Sequence, residues 1–532
     1  MNKILKTLSY IAGTILLVTA CDSSLLDIPQ QGVQSEDNSY ITDEDCEAAI
    51  ASVYAKWRST YSGTGVDVTY CNLFWTKNLL ADEMFSEHTN QNEIANSVIT
   101  PANLWITGCY KMLFQTVYAA NLVIDKFSPE ESAVKARDIA EARFFRALCY
   151  YELITLWGKV PKVDHVLAPD EYQIGNAEYD DLWAFVEKDL TDAINSGALP
   201  SKKGIDDKDT GVRITKEAAL AVLGKVYLTE EKFSDARDAF GKVISSRLYG
   251  LIPDPGDLYH GQSEGCREYL FENNRHWDLN NLTVEAEGRM IQDGWIGFED
   301  NWLFGYGITA AADAPFPFVQ TRGWGAMCPA KKVYDAFIAE EGPVSVRRRA
   351  SVIGYDDLAY FKVNVSGLVR TWPGNEGVLR MKWLMGMNDE PNTLWTGRLT
   401  NTPCMRYADV LLMMAEACVR DGQSGDAYVN EVRARAGLSA KSGVTLSDVK
   451  KERFLEMCFE GTRFQDLKRW GDLASELADK GKKIPTLMPG WVVAYNDNPD
   501  PAAGWQSREE VLPFPQVETE TNKVLDQNEG YN

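Results

Sequence analysis

A chain of 532 residues, of which 45% are hydrophobic, is long enough to bury a large core in one or two domains. Its formal charge of −23 repels phosphate backbones, which argues against nucleic acid as a partner. After the first residues no stretch approaches the roughly 18 consecutive apolar residues of a membrane span, so the sequence predicts no transmembrane helix.

Residues 1–20 have the layout of a cleaved signal peptide. The start is basic, an apolar stretch follows, and small residues precede Cys21. A thiol at this position is typical of lipidation, so we expect the mature protein to begin at an acylated Cys21. Removal of Lys3 and Lys6 with this segment changes the formal charge from −23 to −25. The polar residues 21–43 are predicted to form a lipidated tether that leaves the bulk of the protein in water.

Residues 44–260 are predicted to form a helical part. Ser128–Glu131 has the pattern of a capping box with proline at the first helical position. Gly158 and Pro161 are expected to end the helix that follows. One face of this helix carries small and apolar side chains at helical spacing: Ala136, Ala140, Phe144, Ala147 and Tyr151.

A tetratricopeptide-like helix pair is predicted between residues 217 and 250. In this pattern small residues let two antiparallel helices approach, and aromatic residues fill the groove between them. The matching positions are Leu223, Gly224, Tyr227, Phe233, Ala236 and Phe240. Since one pair cannot bury its own apolar face, neighbouring pairs are expected. Arg406–Val419 with Asp426–Ala436 forms either another such pair or an ordinary helical hairpin.

Residues 261–400 are predicted to be a loop-rich aromatic insert. This part is rich in glycine, asparagine and proline and shows few long helical periods. Loops with so much aromatic area are more typical of a surface task than of a second core. Seven of the fifteen tryptophans lie here: Trp277, Trp295, Trp302, Trp324, Trp372, Trp383 and Trp395.

Residues 401–532 are predicted to be a second helical part that ends in a strap over the helical body, from about residue 511. Its first helix carries one polar stripe, formed by Arg406, Asp409, Glu416 and Arg420. An acidic row at steps of four follows, formed by Glu452, Glu456 and Glu460. Nearby arginines indicate that this row is a solvated or ion-paired helix face and not a catalytic ladder.

The sequence motifs of common enzyme classes are missing or lack their required context. Gly261–Gly265 fits the G-x-S-x-G nucleophile elbow, but loop residues and not a strand precede it. The four histidines show no metal-ligand spacing, and no phosphate-binding loop motif is present. Spacing alone nominates no pair of carboxylates for glycoside hydrolysis. We therefore predict a protein that is not an enzyme and needs no cofactor or catalytic metal.

Two acid-rich loops, Asp206–Asp209 and Asn496–Asp500, leave a structural calcium ion as an alternative. Neither loop has EF-hand spacing, so solvated turns are the simpler interpretation. The ten cysteines include no C-x-x-C pair, and lipidation of Cys21 leaves an odd number. At least one thiol is therefore expected to be unpaired.

Aromatic and polar side chains are the remaining candidates for function. A pyranose ring packs its axial C–H groups flat on Trp or Tyr, while its hydroxyls bind Asn, Asp and Arg, so such a platform holds sugar without cleaving it. Candidates in the amino-terminal half are Tyr70, Asn72, Trp75 and Asn78. Candidates in the insert are Trp295, Trp302, Tyr306, Arg322 and Trp324. For each single residue, a packing role is the competing interpretation.

Several blocks of sequence carry a family resemblance. Three lie near the carboxyl terminus: Arg406–Ala417, Tyr428–Gly437 and Glu452–Gly471. The others are Cys21 with Leu26–Pro29, Glu141–Leu148 running to Leu156–Pro161, Ala218–Phe240, Gly323–Gly325 before Val333–Phe337, and Asn528–Tyr531. In this combination the sequence resembles the SusD/RagB family of outer-membrane nutrient-binding lipoproteins.

The resemblance implies a mainly α fold, in which four tetratricopeptide-like pairs form a scaffold and an irregular, loop-rich lobe carries the ligand site. It implies a lipid-anchored protein on the outside of the Gram-negative outer membrane. There it would cover a SusC-like TonB-dependent transporter and capture oligosaccharides or, in some members, peptides. The ligand residues of the family lie in variable loops, so the candidates above rest on composition and approximate position.

The leading hypothesis is therefore a cell-surface glycan-binding lipoprotein that delivers oligosaccharide to such a transporter. Capture of peptides or glycopeptides, as in RagB-like proteins, is the alternative within the family. A surface glycosidase and a purely structural tetratricopeptide adaptor are the alternatives from other classes. The adaptor would leave the tryptophans of the insert unexplained.

Overall fold

A computed structural model describes residues 39–62, 72–87, 89–259, 263–274, 309–311, 325–382 and 401–531. Within these ranges the protein is mainly helical, as predicted. The α-helices in chain order are α1 (Asp43–Ser62), α2 (Leu73–Leu80), α3 (Thr89–Ala95), α4 (Leu104–Lys126), α5 (Ala133–Trp157), α6 (Tyr179–Asn195), α7 (Lys216–Thr229), α8 (Phe233–Ser246), α9 (Lys331–Glu341), α10 (Val346–Ser351), α11 (Tyr407–Arg420), α12 (Asp426–Arg435), α13 (Leu446–Glu456), α14 (Arg463–Trp470), α15 (Leu473–Glu476) and α16 (Gln516–Thr521).

The strands of the described residues are short and form small antiparallel sheets. They are β1 (Met84–Phe85), β2 (Tyr269–Asn273), β3 (Thr309–Ala310), β4 (Cys328–Pro329), β5 (Val352–Gly354), β6 (Val363–Asn364), β7 (Trp372–Pro373), β8 (Val378–Arg380), β9 (Thr402–Arg406), β10 (Lys483–Met488) and β11 (Val492–Asp497). β1 pairs with β4, β2 with β9, β3 with β6 and β5 with β8, and β10 lies between β11 and β7.

Eight helices pack as four pairs: α1 with α4, α5 with α6, α7 with α8, and α11 with α12. Successive pairs also touch, through α4 with α5, α6 with α7, and α8 with α11. Each pair therefore buries its apolar face against a neighbour, as repeat architectures require. This arrangement agrees with the predicted scaffold of helical pairs.

The small-to-large pattern that predicted the α7–α8 pair has a direct structural reason. Gly224 on α7 faces the buried ring of Phe240 on α8, and a Cβ atom at residue 224 would lie 2.5 Å from Cε1 of that ring. Gly425, just before α12, is similarly close to α11, because its Cβ would lie 2.9 Å from the carbonyl oxygen of Ala415. Glycine at these positions allows the paired helices to approach.

α5 begins later than the capping-box pattern predicted. Its N-cap is Ser132, whose side chain accepts a hydrogen bond from the backbone N–H of Lys135 (3.1 Å). The predicted start, Ser128–Glu131, is instead a turn in which the N–H of Glu131 donates to the carbonyl of Ser128. A tertiary contact favours the later cap, because the Ser132 hydroxyl also donates to Asp43 at the start of α1 (2.6 Å). The predicted end is confirmed, with Gly158 as C-cap at a φ of 80°.

The described residues of the predicted loop-rich insert include short helices and strands besides loops. Its described residues contribute to a second hydrophobic core made of Cys328, Ile353, Leu358, Phe361, Val363, Leu368, Trp372, Leu379, Met381 and Leu487. Trp372, one of the seven tryptophans counted there, is only 2% exposed. Its indole N–H donates to the carbonyl of Gly325 (2.9 Å). The other six tryptophans lie outside the described residues.

The carboxy-terminal blocks are joined by a buried charge cluster, which we define as Glu268, Lys382, Arg406, Arg435, Glu456 and Glu460. Arg406 at its centre binds Glu456 at 2.6 Å, Glu460 at 2.8 Å and Glu268 at 2.9 Å. Burial opposes ionisation of Glu456, but Arg435, Arg406 and Arg347 outweigh it and hold the pKa of this carboxyl well below its usual value. The ion-paired interpretation of the acidic row is thus confirmed, whereas the solvated one is wrong.

Two members of the predicted polar stripe of α11, Asp409 and Glu416, are buried in the same way. Arg453 on α13 binds Asp409 (2.7 Å) and Asp466 on α14 (2.9 Å). Arg469 binds Glu416 at 2.7 Å. These ion pairs connect the first and third carboxy-terminal sequence blocks. The charged residues of these two blocks therefore hold their helices together.

The final segment, residues 511–531, lies over the end of α5. The N–H of Leu512 donates to the carbonyl of Leu156 (2.7 Å), and the indole N–H of Trp157 donates to the carbonyl of Pro513 (3.1 Å). The side chain of Asn528 donates to the carbonyls of both Trp157 (2.8 Å) and Leu512 (2.7 Å). The strap therefore supplies hydrogen-bond partners for groups at the last turn of α5 that have no partner within the helix.

Other sequence-based expectations concern membranes, thiols and calcium. No helix in the described part of the chain is long and apolar enough to cross a membrane. Eight cysteines are described, and all are free thiols, which agrees with the expected unpaired thiol. In the first acid-rich loop, Asp207 accepts bonds from the backbone N–H groups of Lys203 and Asp209. Among the described residues no cluster of acidic, histidine or cysteine side chains could hold a metal ion, and the calcium site stays a prediction.

Candidate ligand-binding cleft

Two segments that the sequence associated with ligand binding are brought together by a short sheet. β1 follows α2, the helix of the amino-terminal candidates, and β4 follows Trp324 in the sequence. In this antiparallel pair Met84 lies opposite Pro329, and Phe85 lies opposite Cys328. The residues that follow the amino-terminal candidates therefore pair with the residues that follow the candidates of the insert.

A cleft of about 760 Å³ opens beside this sheet. A volume of this size is typical of pockets that bury small ligands. We call it the β1–β4 cleft; it lies between β1, the start of α9, the turn after α15 and the β10–β11 hairpin. It is lined by Ala81, Asp82, Met84, Phe85, Ala330, Lys331, Lys332, Asp335, Glu376, Glu476, Asp479, Lys480, Lys482, Lys483 and Tyr495.

Charges in the cleft are balanced. Five of the lining residues are lysines and five are acidic, so their formal sum is zero in a chain whose formal charge is −23. Many are already paired: Lys332 and Arg463 both bind Asp82 and Glu476. Burial opposes ionisation of Asp82, but Arg463 and Lys332 outweigh it and lower its pKa. A cleft of this kind offers many hydrogen-bonding groups without attracting a strongly charged ligand.

Tyr495 on β11 presents an aromatic ring at the edge of the cleft. Its side chain is 49% exposed. Partial burial of the side chain is the main cause that raises the pKa of Tyr495 to about 12, and the neighbouring Glu376 carboxylate is the second. The hydroxyl is therefore protonated at neutral pH and acts as a hydrogen-bond donor to the Glu376 carboxylate. Glu376 in turn accepts a bond from the backbone N–H of Lys331 (2.6 Å), which fixes the carboxylate at the cleft wall.

Lys480 closes the inner end of the cleft. Its amine lies inward and donates to the carbonyl of Ile94 (2.6 Å) and the hydroxyl of Ser97 (3.3 Å). Loss of hydration lowers the pKa of Lys480 to about 8, although Glu509 and Asp82 act in the opposite direction. This lysine therefore joins the cleft to the turn after α3.

Glu83 lies behind the cleft, between Asp82 and β1, and is buried. Its carboxylate accepts a hydrogen bond from the backbone N–H of Phe459 (2.7 Å). Burial raises the pKa of Glu83 to about 8, and the bond from Phe459 and the charge of Arg463 only partly oppose this effect. Near neutral pH the side chain is thus largely uncharged, because the neutral carboxyl has the lower free energy in this interior.

Three of the four amino-terminal candidates are part of the interior, which corrects the prediction that they contact ligand. Trp75 is 0% exposed, with the guanidinium of Arg380 over its ring at 4.8 Å. Asn78 donates to the carbonyl of Phe74 (2.8 Å) and accepts from the N–H of Gly461 (3.1 Å). Asn72 is buried too, as the N-cap of α2. These three side chains have no surface open to a ligand, so we leave them out of the proposed site.

The remaining candidates lie outside the described residues: Tyr70, Trp295, Trp302, Tyr306, Arg322, Trp324 and the lipidation site Cys21. Their roles stay predictions. Sequence patterns alone did not nominate Tyr495, Glu376 or Lys483 as site residues, although a signal for part of this set exists. Residues 483–488 and 492–497 show the alternation or enrichment of β-forming side chains that is typical of strands. They flank the turn residues Pro489 and Gly490, and this combination is the pattern of a β-hairpin.

The described residues around the G-x-S-x-G motif do not have the order of elements of a nucleophile elbow. A 3₁₀ turn, Pro255–Tyr259, precedes it, and the strand β2 follows it instead of preceding it. The elbow requires the opposite order, a strand leading into the serine and a helix after it. Ser263 is buried, and its carbonyl accepts a bond from the N–H of Cys266 (3.0 Å). This arrangement agrees with the prediction that the motif is coincidental.

Comparisons with known proteins cover both halves of the chain. A family model described as "SusD family" matches residues 355–531, and one described as "Starch-binding associating with outer membrane" matches residues 33–228. A "SusD-like protein" from Bacteroides ovatus is 26% identical over 492 residues, which cover 87% of this chain and 82% of that protein.

Solved structures share the fold over nearly the whole chain. A "Laminarin binding SusD-like protein" has a TM-score of 0.75 at 24% identity, covering 92% of this chain and 100% of the other. Surface glycan-binding protein A from Bacteroides thetaiotaomicron in complex with laminarihexaose has a TM-score of 0.70 at 21% identity, with the same coverage. With the stack of helical pairs and the two matching family models, these similarities lead to one conclusion: the chain belongs to the SusD/RagB family.

Proposed function

We propose that this protein is a cell-surface lipoprotein that binds oligosaccharide without cleaving it and delivers it to a SusC-like TonB-dependent outer-membrane transporter. The observation that carries this proposal is the end-to-end similarity of fold to proteins described as binding laminarin or laminarihexaose. The family description of starch binding and outer-membrane association for residues 33–228 points in the same direction.

The chemistry of the β1–β4 cleft supports a neutral, hydroxyl-rich ligand. Sugar hydroxyls can both donate and accept, so they match a wall of alternating ammonium and carboxylate groups. The Tyr495 ring offers a flat apolar surface for the C–H face of a pyranose, and its hydroxyl oxygen can accept a bond from a sugar hydroxyl. Because the site is open to water, we expect modest affinity for single short oligosaccharides.

Affinity gel electrophoresis tests this proposal. Protein lacking residues 1–21 would be run through gels that contain laminarin, starch or other polysaccharides, beside a non-binding protein as reference. We expect retardation by at least one polysaccharide. Tyr495→Ala should weaken it about tenfold, equivalent to ~1.4 kcal/mol, whereas Tyr172→Ala, an exposed tyrosine outside the cleft, should match the unaltered protein.

Two other outcomes would favour the competing functions. Retardation by no polysaccharide, together with retention of a peptide pool, would indicate the peptide-capturing alternative. Release of new reducing ends from a polysaccharide by the purified protein would indicate a glycosidase. In either case the proposal of glycan capture without cleavage fails.

The anchor and the transporter require tests of their own. Cys21→Ala should abolish labelling by a radioactive fatty acid and release the protein from the membrane fraction. Protease added to intact cells should remove the anchored protein if it faces the exterior. Co-purification of a TonB-dependent transporter from detergent extracts of the anchored form, but not from extracts without it, would support delivery.

A further inference from the structure

A second groove lies on the surface of the insert, away from the β1–β4 cleft. It is formed by the 3₁₀ turn Pro255–Tyr259, the helix α10 and the turn that leads from β5 to β6. Its volume is about 190 Å³, and it shares no lining residue with the β1–β4 cleft. Whole small-molecule pockets usually measure roughly 300–1,000 Å³. The groove therefore has room for one small unit and not for a long ligand.

One wall of the groove is an aromatic platform. Tyr360 is 51% exposed, although it lies among residues that build the second core. The guanidinium of Arg349 lies over this ring, 4.2 Å from its centroid. Phe361 and Met381 line the groove beside it and are buried, so the floor is apolar and held in place by the core.

The polar groups at the groove are only partly used by the protein. Nε of Arg349 donates a long bond to Asp357 (3.4 Å), and its two terminal nitrogens have no hydrogen-bond partner among the described residues. Asp254, on the opposite wall, accepts the N–H of Gly256 through Oδ1 (2.8 Å). Its other oxygen accepts no bond from the described part of the chain. Together they present donors and an acceptor with a formal charge of zero.

We propose that this groove is a second glycan-binding site, which holds a single sugar unit of the same polysaccharide through Tyr360, Arg349 and Asp254. The proposal rests on the proposed function, because it assumes a glycan ligand. The sugar C–H face would stack on the face of the Tyr360 ring that Arg349 does not cover, and its hydroxyls would bind the guanidinium and the carboxylate. A unit that is neutral and rich in hydroxyls matches both groups at once.

An apolar protein side chain fits this groove less well. It would cover Arg349 and Asp254 without satisfying them, and leaving charged groups dehydrated and unpaired is costly. A sugar replaces the lost water with hydroxyl groups. Two separate sites on one protein also increase the retention of a long chain, because the second contact forms at a high effective concentration. The groove would thus act on polysaccharide more than on short fragments.

The test compares groove variants with cleft variants on the polysaccharide that retards the unaltered protein most. Tyr360→Ala and Arg349→Ala should each weaken retention by about three- to tenfold, and the double variant Tyr360→Ala/Tyr495→Ala should lose more than either change alone. Tyr172→Ala is the matched control, since this tyrosine is 59% exposed and lines neither site. Circular dichroism and thermal unfolding establish that each variant is folded.

A short oligosaccharide from the same polysaccharide gives a second readout by calorimetry. We expect the unaltered protein to bind it with two sites per chain, and Tyr360→Ala to bind it with one. Unchanged retention in folded Tyr360→Ala and Arg349→Ala, while Tyr495→Ala is impaired, overturns the groove and leaves the proposed function intact. If no polysaccharide retards the unaltered protein, the proposed function fails instead, and the groove proposal falls with it.

Discussion

The buried charge cluster and the β1–β4 cleft contain the same kinds of charged side chain, but these side chains have different roles in the two regions. In the cluster, Arg406 binds three glutamates at 2.6 to 2.9 Å, and the side chain of each member is at most 7% exposed. In the cleft, lysines and acids also alternate, but several, such as Lys482 and Lys483, are well exposed. Charged groups that are dehydrated and saturated hold helices together, whereas hydrated ones remain available for a ligand. Substitution should therefore reduce stability in the first region and binding in the second.

Removal of the central arginine should have the largest effect. Arg406→Ala leaves Glu268, Glu456 and Glu460 buried with too little positive charge, and we expect the free energy of unfolding to fall by about 3–5 kcal/mol. Chemical denaturation measures this change. Lys188→Ala is the control, because Lys188 forms an exposed pair with Asp192 and should change stability by no more than about 0.5 kcal/mol. Equal small effects in both variants would refute the distinction between buried and hydrated pairs.

The buried Glu83, at the boundary of the two regions, should make stability depend on pH. Its pKa is about 8 in the folded protein against an ordinary value of 4.5, so the folded state binds the proton more tightly. Stability from this group is complete below pH 4.5 and is lost as the pH rises through about 8. The change is on the order of a few kcal/mol.

Glu83→Gln should flatten this dependence. Glutamine keeps an acceptor for the N–H of Phe459 but cannot ionise, so the variant should be more stable than the unaltered protein at pH 8 and similar at pH 4.5. Urea denaturation at a series of pH values gives the comparison. Parallel curves for the two proteins would contradict the raised pKa.

Helix packing in the scaffold should tolerate added volume poorly. Gly224→Ala places a methyl group against the ring of Phe240, and we expect a loss of about 1–3 kcal/mol in the free energy of unfolding. Gly241→Ala is the matched control on α8, where a Cβ atom meets no neighbour within 4 Å. It should stabilise the helix by about 0.5–1 kcal/mol. Stabilisation by both changes would show that the close approach at residue 224 is unimportant.

The smallest effect is expected at the Tyr495 hydroxyl. Tyr495→Phe keeps the ring and removes one hydrogen bond to ligand, so binding of polysaccharide should weaken about two- to fivefold, or ~0.5–1 kcal/mol. The free energy of unfolding should stay within about 0.5 kcal/mol of the unaltered protein, because the side chain is 49% exposed. A loss as large as that of Tyr495→Ala would mean that the hydroxyl, and not the ring, provides the contact.

Much of the scaffold was predictable, because helix pairs leave a clear periodic pattern. Gly224 and Phe240 identified one pair, and Gly158 identified the end of α5. The start of α5 was not predictable from local pattern, since Ser128 and Ser132 are both suitable caps and a contact with Asp43 from α1 favours the second. Local sequence rules identify the possible N-caps, and the contact with a distant residue determines which of them begins the helix.

The candidate site was less predictable, because exposure is not a local property. Trp75 and Asn78 lie on α2, which is buried on every side, so no polar face in the sequence marks which residues meet solvent. Tyr495 on β11 and Glu376, between β7 and β8, lie far apart in the chain, and the pairing of β10 with β11 and β7 brings them together. The second core around Trp372 was missed for the same reason, since strands of two or three residues have too few positions to show alternation.

The carboxy-terminal strap has a consequence for biogenesis. Asn528 completes the end of α5 by binding the carbonyl of Trp157, which precedes it by 371 residues. During synthesis the amino-terminal half is made first, yet the last turn of its longest described helix lacks hydrogen-bond partners until residues 512–528 are available. Removal of Asn528 would leave that turn without its donor, so the strap makes completion of the amino-terminal half depend on residues that are made much later.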